Sequence, residues 1–317
     1  MGRLQVVGRL APSPTGLLHL GHARSFLLAW CSVRSRDGRL KLRMEDLDLS
    51  RVRPQFVDQA LRDLEWLGLD WDGPVEMQSD QIPAFQAVAQ GLCERGLAYP
   101  CVCTRKEIEN ARSAPHHGEE GPIYPGTCRD RYASLEEARR ASGREPALRL
   151  RVQGVRSTVT DQFAGSLTQD LERDVGDFPI TSRDGQIAYQ LAVVLDDARQ
   201  GVTEVLRADD LLSSTPRQSF LQDLLGLPHP VWIHVPLVLD DNGQRLAKRH
   251  DSLSLAALRE TGVCPRRLVG WIAQSIGLTG PSVASPCELL PDFELHKLPS
   301  TPVEFSPRLV PLLKPRN

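Results

Sequence analysis

The first hundred residues alternate between short apolar runs and amphipathic stretches. Residues 4–10 form an apolar run that predicts a buried strand, and residues 39–44 alternate in the manner of a second strand. Residues 23–35 and 54–67 carry apolar positions at helical spacing. Strands that alternate with helices predict an α/β domain built on a parallel sheet.

The rest of the chain continues this alternation less regularly. A loop-rich stretch with several Gly, Pro and Cys residues interrupts it, and the last part of the chain is rich in proline without periodicity. We predict a loop over 69–81; helices over 82–95 and 254–259; strands over 147–152, 155–160, 201–207 and 232–239; turns at 161–166 and 169–170; an apolar stretch around 268–276; and a helix with Thr215 as its N-cap.

Two histidines flank a glycine in the loop that follows the first predicted strand. A strand, a tight loop and a helix start direct backbone N–H groups and the positive end of the helix dipole into the loop, which favours a phosphate. His19 and His22 can each donate a hydrogen bond to a phosphate oxygen, and Gly21 lets a ligand approach the backbone. The alternative is an ordinary loop whose histidines cap the helix or lie on the surface.

Charged residues stand at the ends of two predicted strands. Residues 45–48 are rich in carboxylates and begin with Glu45, at the edge where ligands bind in open α/β sheets. Arg207 ends another strand, and its guanidinium would suit bidentate recognition of a carboxylate. The alternatives are an acidic turn that caps the next helix, and a surface arginine paired with Asp209 or Asp210.

Three cysteines lie close together in the loop-rich stretch. The motif Cys101-Val-Cys103 opens it and Cys128 closes it, a pattern that predicts a tetrahedral zinc site in an intracellular protein. General ligand preference favours His116 or His117 as the fourth ligand. The alternative is three separate buried or free thiols.

The composition of the chain is not typical of membrane-spanning, secreted or disulfide-rich proteins. No apolar run approaches the length that spans a bilayer, and we see no secretory signal, so we expect a cytoplasmic protein without a membrane partner. The seven unevenly spaced cysteines do not indicate a disulfide framework. Because the net charge is −2, a nucleic acid would have to be held by local basic patches.

The first loop also resembles a known signature. Arg9, residues 11–16 and residues 19–22 resemble, in this order, the first signature of class I aminoacyl-tRNA synthetases, specifically the glutamyl group. Residues 184–197 are similar to a second pattern of that group, Asp-Gly-x-x-x-Tyr-x-x-Ala-x-x-x-Asp-Asp. The resemblance implies that ATP is bound by His19, Gly21, His22 and Lys248, and that glutamate is bound by Arg9, Leu10, Ala11, Pro12, Ser13, Glu45, Tyr189 and Arg207.

The second class I signature, Lys-Met-Ser-Lys-Ser, is altered here. Residues 245–249 read Arg-Leu-Ala-Lys-Arg, so Lys248 keeps the second lysine while the first is arginine and both serines are absent. A flexible lysine on a loop can follow negative charge that develops on a phosphate. The resemblance therefore implies that Lys248 is catalytic together with His19 and His22. Taken alone, the segment is a basic surface loop.

One branch of the glutamyl group consists of short enzymes that transfer glutamate to the queuosine base in the anticodon of tRNA(Asp). In that branch a tyrosine four residues before the last cysteine completes a structural zinc site. The resemblance therefore implies one Zn²⁺ held by Cys101, Cys103, Tyr124 and Cys128. It further implies Mg²⁺ with ATP, L-glutamate, and tRNA(Asp) carrying queuosine. A ligase with another acceptor or amino acid and a non-catalytic tRNA-binding paralogue remain as alternatives.

These patterns combine into one expected architecture. We expect a class I synthetase-like, doubly wound parallel sheet of the Rossmann type, with an inserted zinc-bearing subdomain and a small helical C-terminal piece. The chain would be monomeric, without room after Lys248 for an anticodon-binding domain. The expected segments are 1–98 and 181–250 for the two halves of the nucleotide-binding catalytic domain, 99–180 for the inserted subdomain, and 251–317 for the C-terminal region and tail.

Overall fold

The computed structural model describes residues 5–110, 123–246, 253–278 and 282–315. The strands are β1 (Val7–Leu10), β2 (Arg39–Met44), β3 (Glu76–Met77), β4 (Ala98–Cys101), β5 (Ala147–Leu150), β6 (Arg156–Asp161), β7 (Gly165–Asp170), β8 (Glu204–Ala208), β9 (Val231–Val235), β10 (Val238–Leu239) and β11 (Val303–Glu304). The α-helices are α1 (Leu20–Arg34), α2 (Pro54–Leu67), α3 (Ile82–Glu94), α4 (Arg105–Asn110), α5 (Leu135–Ser142), α6 (Leu171–Asp174), α7 (Tyr189–Arg199), α8 (Thr215–Leu225), α9 (Leu255–Glu260), α10 (Pro265–Ser275) and α11 (Pro286–Leu289). Short 3₁₀ segments are Gln78–Gln81, Asp209–Ser214, Leu290–Asp292, Leu295–Lys297 and Pro307–Leu313.

A mostly parallel sheet forms the centre of the molecule. Strand β1 pairs with β2 and β2 with β3, while β8 pairs with β9 and β9 with β6, all in parallel; β7 is antiparallel at the edge. The two groups meet at β1 and β8, because the Thr203 N–H donates to the Val7 carbonyl at 2.8 Å. The spatial order β3-β2-β1-β8-β9-β6-β7 runs outward in both directions from this meeting point. The predicted doubly wound sheet is confirmed, and its switch point, where ligands bind in such folds, lies between β1 and β8.

Helix α1 and strands β1 and β2 share one large hydrophobic core. Side chains such as Leu27, Leu28, Leu40 and Leu42 are at most 1% exposed. Burial of one such side chain contributes about 1.5–3 kcal/mol, so this core fixes the strand ends that carry the charged residues.

The proline-rich tail packs on the same core although its sequence shows no periodicity. Phe305 is fully buried and meets the Trp271 ring edge-on, with the ring centroids 4.8 Å apart. The Cys264 N–H donates to the Leu313 carbonyl at 3.0 Å, and β11 pairs with β10. Isolated apolar residues therefore anchor the tail, and for this reason no periodic pattern in the sequence predicted its packing.

Part of the segment between α3 and α7 builds a smaller unit, whereas β6 and β7 from the same segment join the central sheet. Strands β4 and β5 pair in antiparallel fashion, and a separate small apolar cluster lies beside them. Asp177 is fully buried and joins the parts of this unit. It accepts hydrogen bonds from the Tyr99 hydroxyl, the Arg129 guanidinium and the Val152 N–H.

Several predicted elements differ from the observed ones. The predicted loop over 69–81 contains β3, which has only two residues and owes its strand conformation to pairing with β2. The predicted turn at 169–170 is wrong, because these residues end β7, a polar edge strand without an apolar alternation. The predicted strand over 232–239 is divided into β9 and β10, and Ser214 rather than Thr215 is the N-cap of α8. No helix in the described ranges is both long and apolar enough to cross a bilayer.

Candidate active site and cysteine cluster

The first loop holds its two histidines through the helix start. His19 is the N-cap of α1, and its Nδ1 accepts from the Gly21 N–H at 3.1 Å. The Nδ1 of His22 accepts from the His19 N–H, also at 3.1 Å, and the two rings stack with centroids 3.7 Å apart. Because each Nδ1 is an acceptor, a neutral ring carries its proton on Nε2. The capping role and the donor role are thus compatible, and the cap fixes which nitrogen donates.

A buried ion network lies beneath the ends of β1 and β2. Arg43 is fully buried; its guanidinium contacts Asp197 at 2.9 Å and Glu45 at 3.2 Å. The Arg9 Nε lies 3.5 Å from the same Asp197, and its Nη1 donates to the Leu206 carbonyl at 3.4 Å. Burial raises the pKa of the Glu45 carboxyl, and the neighbouring arginines act in the opposite direction. Glu45 is therefore held in a fixed position at the strand end.

The sequence interpretation missed Arg43 and Asp197 as parts of this network. Arg43 is one of the basic residues in the alternating run 39–44, and Asp197 ends the second motif that resembles the glutamyl group. Neither pattern names a partner, since 154 residues separate the two.

Arg207 is buried at the end of β8 and makes extensive hydrogen bonds. Its Nε donates to His234 at 2.8 Å, and its Nη2 donates to Thr215 at 3.0 Å and to Gln218 at 2.9 Å. Its Nη1 donates to the Tyr189 hydroxyl at 3.3 Å. Burial raises the pKa of Tyr189, so its hydroxyl keeps its proton. The alternative of a surface arginine paired with Asp209 or Asp210 does not hold, because Arg207 is 5% exposed and these contacts occupy it.

Most of the predicted site residues line one cleft at the switch point of the sheet. Part of the cleft wall is apolar, and the sequence interpretation did not assign these residues to the site: Leu206, Leu237, Val238 and Leu246. The predicted residues that line the cleft are Arg9, Ala11, His19, Gly21, His22, Glu45, Tyr189 and Arg207.

Three predicted glutamate contacts lie elsewhere. Leu10 is fully buried in the core, and Ser13 is exposed. The Pro12 carbonyl accepts the Glu45 N–H at 2.9 Å, so this residue supports the strand end through its backbone.

The loop with the altered second signature is described only in part. Lys248 lies outside the described residues. Before it, Arg245 lines the cleft and pairs with Asp210 at 2.5 Å. After it, Ser254 forms a bridge with His19, and the Leu255 N–H donates to the Leu18 carbonyl at 2.8 Å. Both described flanks of this loop therefore contact the histidine cleft.

The three cysteines and a tyrosine form a compact cluster in the smaller unit. The Tyr124 hydroxyl oxygen lies 3.3 Å from the Cys101 sulfur and 3.6 Å from the Cys103 sulfur, and accepts the Cys128 N–H at 2.8 Å. The sulfurs of Cys103 and Cys128 are 3.5 Å apart. Ligands in a tetrahedral zinc–thiolate site stand about 3.8 Å apart, since each Zn–S bond is about 2.3 Å. The donor set and spacing fit Zn²⁺.

An arginine covers this cluster. The Arg149 guanidinium lies 4.0 Å from the centre of the Tyr124 ring, and its Nε donates to the Cys101 sulfur at 3.3 Å. The positive charge of this guanidinium would offset the negative charge of a site with several anionic ligands. The alternative ligands His116 and His117 lie outside the described residues.

Comparison with known proteins gives a consistent result. The family model for the catalytic domain of class I tRNA synthetases (E and Q) matches residues 5–297. A protein named glutamyl-Q tRNA(Asp) synthetase from Nocardia farcinica is 48% identical over 93% of this chain and 91% of its own length. Proteins of the same name from Symbiobacterium thermophilum and Deinococcus radiodurans are 45% and 46% identical, covering 94% and 91% of this chain and 95% and 96% of their own lengths.

Solved structures agree with the fold. The glutamate tRNA ligase of Elizabethkingia meningosepticum, solved in complex with its amino acid, superposes with a TM-score of 0.81 at 23% identity. The match covers 98% of this chain and 69% of that ligase. At this identity the likeness supports the fold, the predicted class I synthetase architecture.

Proposed function

Since the chain belongs to the catalytic-domain family of class I tRNA synthetases for glutamate and glutamine, and is thus a ligase of that type, we propose that it activates L-glutamate with ATP and transfers the glutamyl group to queuosine in tRNA(Asp). The observation that carries this proposal is the convergence of two histidine donors with Glu45 and Arg207 in one cleft. The names of the similar proteins support the acceptor. With these substrates, we expect the reaction to take place in the cytoplasm.

In the first step an oxygen of the glutamate α-carboxylate attacks the α-phosphorus of ATP. The bond from that phosphorus to the bridging oxygen breaks, and pyrophosphate leaves with the electron pair. The Nε2–H groups of His19 and His22 donate to phosphate oxygens as charge develops on them. Lys248, two residues after Leu246 of the cleft wall in the sequence, would supply a positive charge to the phosphates. Mg²⁺ that accompanies ATP shares the phosphate charge.

The other end of the cleft holds the amino acid. The Glu45 carboxylate receives the ammonium group, and the arrival of this cation favours the ionised form of a carboxyl whose pKa burial has raised. Arg9, Tyr189 and Arg207 receive carboxylate oxygens. The Nε of Arg207 already donates to His234, and its Nη2 to Thr215 and Gln218. Nη1 is the nitrogen that these three residues do not engage. The arginine therefore contacts its carboxylate through Nη1 beside the Tyr189 hydroxyl, rather than through a two-nitrogen fork.

In the second step a nucleophile of the queuosine base attacks the activated glutamyl carbonyl. The carbonyl–phosphate oxygen bond breaks and AMP leaves. No covalent bond to the protein is needed, because positioning and electrostatic stabilisation suffice for both steps.

The cysteine cluster has a structural role in this proposal. Cys101, Cys103, Tyr124 and Cys128 would hold one Zn²⁺, and four protein ligands leave no position for a substrate. The ion would stabilise the loops around the cysteines, where the apolar cluster is small.

The experiment that tests the proposal measures transfer of labelled glutamate onto two tRNA pools, one with queuosine and one without. Labelling of the queuosine pool alone is expected. Labelling of both pools would indicate conventional charging, and labelling of neither, with intact glutamate-dependent pyrophosphate exchange, would indicate another acceptor. Exchange that glutamine supports as well as glutamate would overturn the assigned amino acid.

A further inference from the structure

A buried chain of three side chains runs behind the cleft wall. The Asp161 Oδ2 lies 2.6 Å from the His234 Nδ1, and the His234 Nε2 accepts from the Arg207 Nε at 2.8 Å. The side chains of Asp161 and His234 have no solvent exposure. These two residues come from the ends of β6 and β9, and neither lines the cleft.

The hydrogen bonds determine the protonation of His234. Its Nε2 accepts from a guanidinium that cannot give up its proton, so the ring proton sits on Nδ1 and is donated to Asp161. Burial lowers the pKa of His234, which agrees with a neutral ring.

Asp161 is itself fixed by the backbone. Its Oδ1 accepts the N–H groups of Phe163 at 2.9 Å, Ala164 at 2.7 Å and His234 at 3.2 Å. The turn between β6 and β7 thus holds the carboxylate, the carboxylate holds the imidazole, and the imidazole holds the guanidinium.

The remaining contacts of Arg207 complete the restraint. Thr215 and Gln218 accept from Nη2, and the guanidinium carbon lies 5.2 Å from the Trp232 ring centre. With Nε and Nη2 engaged, the planar group cannot rotate without loss of several hydrogen bonds. Nη1, beside the Tyr189 hydroxyl, is therefore the edge that faces the cleft.

We propose that Asp161 and His234 are positioning residues for amino-acid recognition, which fix the Arg207 guanidinium so that Nη1 meets a carboxylate of the substrate. This inference rests on the proposed function, in which Arg207 binds glutamate. Neither residue touches the substrate; they act through Arg207, as second-layer partners orient the ligands of a metal site.

The first test is Asp161→Asn, which is isosteric. Its amide oxygen can still accept the backbone N–H groups, but its amide nitrogen now donates to His234 Nδ1. The ring proton then moves to Nε2, where it opposes the Arg207 Nε–H. In glutamate-dependent pyrophosphate exchange we expect the KM for glutamate to rise about 10–100-fold, while the KM for ATP changes less than about twofold.

A pair of variants at His234 provides a rescue test. His234→Gln retains an oxygen that can accept from the Arg207 Nε, whereas His234→Leu has no acceptor. We expect the Gln variant to keep a lower KM for glutamate than the Leu variant at similar thermal stability. This pair also carries the test if Asp161→Asn does not fold.

A matched control exists on α8. Asp223 pairs with His229 at 2.8 Å, but both side chains are largely exposed, at 67% and 40%. Asp223→Asn should leave the KM for glutamate unchanged. An equal rise in both Asp→Asn variants would overturn the inference.

Arg207→Ala separates the inference from the proposed function. If Arg207→Ala leaves the KM for glutamate unchanged, the proposed role of Arg207 fails. If it raises that KM but Asp161→Asn does not, only the positioning role fails. When Arg207→Ala is combined with Asp161→Asn, the second change should add no further effect, because the partner it orients is gone.

Discussion

The cleft gathers polar side chains from distant parts of the chain, whereas the cysteine cluster draws its side chains from one short stretch, residues 101–128, and different forces hold the two. Beneath the cleft, Arg43 of β2 and Asp197 of α7 are buried together beside the large core of α1, β1 and β2. In the cluster, Cys101 and Cys128 stand in a small unit with few apolar neighbours. The cleft is therefore preorganised by the protein alone, whereas the cluster contains the ligands of an ion that would complete it.

The two regions should therefore be sensitive to different changes. Buried charges are stable only while every partner is present, since one unpaired ion in the interior is costly. A metal-linked unit depends instead on its ligand atoms and on the supply of the ion. Changes to the two regions should accordingly have different signatures.

Removal of a zinc ligand is expected to have the largest effect. Structural zinc contributes about 10–16 kcal/mol to the folding of small metal-dependent units. Cys101→Ser should lose the bound zinc and render the unit around β4 and β5 sensitive to proteolysis, as measured by elemental analysis and limited digestion. The exposed Cys287 supplies the control Cys287→Ser, which should keep the metal. Freshly purified parent protein without zinc would contradict the metal site.

The corresponding change in the ion network beneath the cleft is Arg43→Met. It leaves the buried carboxylates Asp196 and Asp197 short of a partner and should lower the free energy of unfolding by about 3 kcal/mol, measured by urea denaturation. Zinc content should not change. Arg51→Met removes an exposed ion pair with Asp48 and should lower the free energy of unfolding far less, because water screens exposed charges. Equal losses in the two variants would show that burial of the pair is not decisive.

His22→Ala separates chemistry from stability within the cleft. Loss of one preorganised donor to the phosphates should lower kcat for pyrophosphate exchange about 10²–10³-fold. Loss of its contribution to the helix cap should cost only about 1 kcal/mol. Exchange at the parent rate would contradict the assigned role, and the exposed His296 supplies the control His296→Ala.

Tyr124→Phe sharpens the description of the cluster with the smallest expected effect. The three thiolates remain, so zinc should still bind, but competition with a chelator should reveal at least about tenfold weaker affinity. Tyr124→His offers a ring nitrogen as the fourth ligand in place of the phenol oxygen and should recover part of the lost zinc affinity. If Tyr124→Phe binds zinc as tightly as the parent protein, His116→Ala and His117→Ala become the next variants to measure.

Motifs in the sequence predicted the parts of the site that follow a strand or open a helix. His19, His22, Glu45 and Arg207 all belong to short patterns with a definite place in an α/β fold, and the structure brings them into one cleft. The family resemblance, and not the residues alone, implied Tyr124 beside the cysteines, and its hydroxyl lies there; metal binding by the cluster stays a prediction.

The supporting residues could not be predicted in the same way. Asp161 and His234 lie 73 positions apart; Asp161 directly follows one predicted strand and His234 is an isolated polar residue within another. Strands β3 and β7 were missed because pairing, and not an apolar alternation, makes them strands. Local patterns thus indicate elements and motifs, while partners across the fold require the tertiary structure.

The anchored tail has a practical consequence for anyone who expresses part of this protein. The family match ends at residue 297, yet Phe305 and Leu313 remain buried against the core. A fragment that ends at residue 297 would lack Phe305 and would expose the Trp271 ring and the apolar surface around it to water. The folded part of the chain therefore extends beyond the family match, and a fragment made for expression should extend past Leu313.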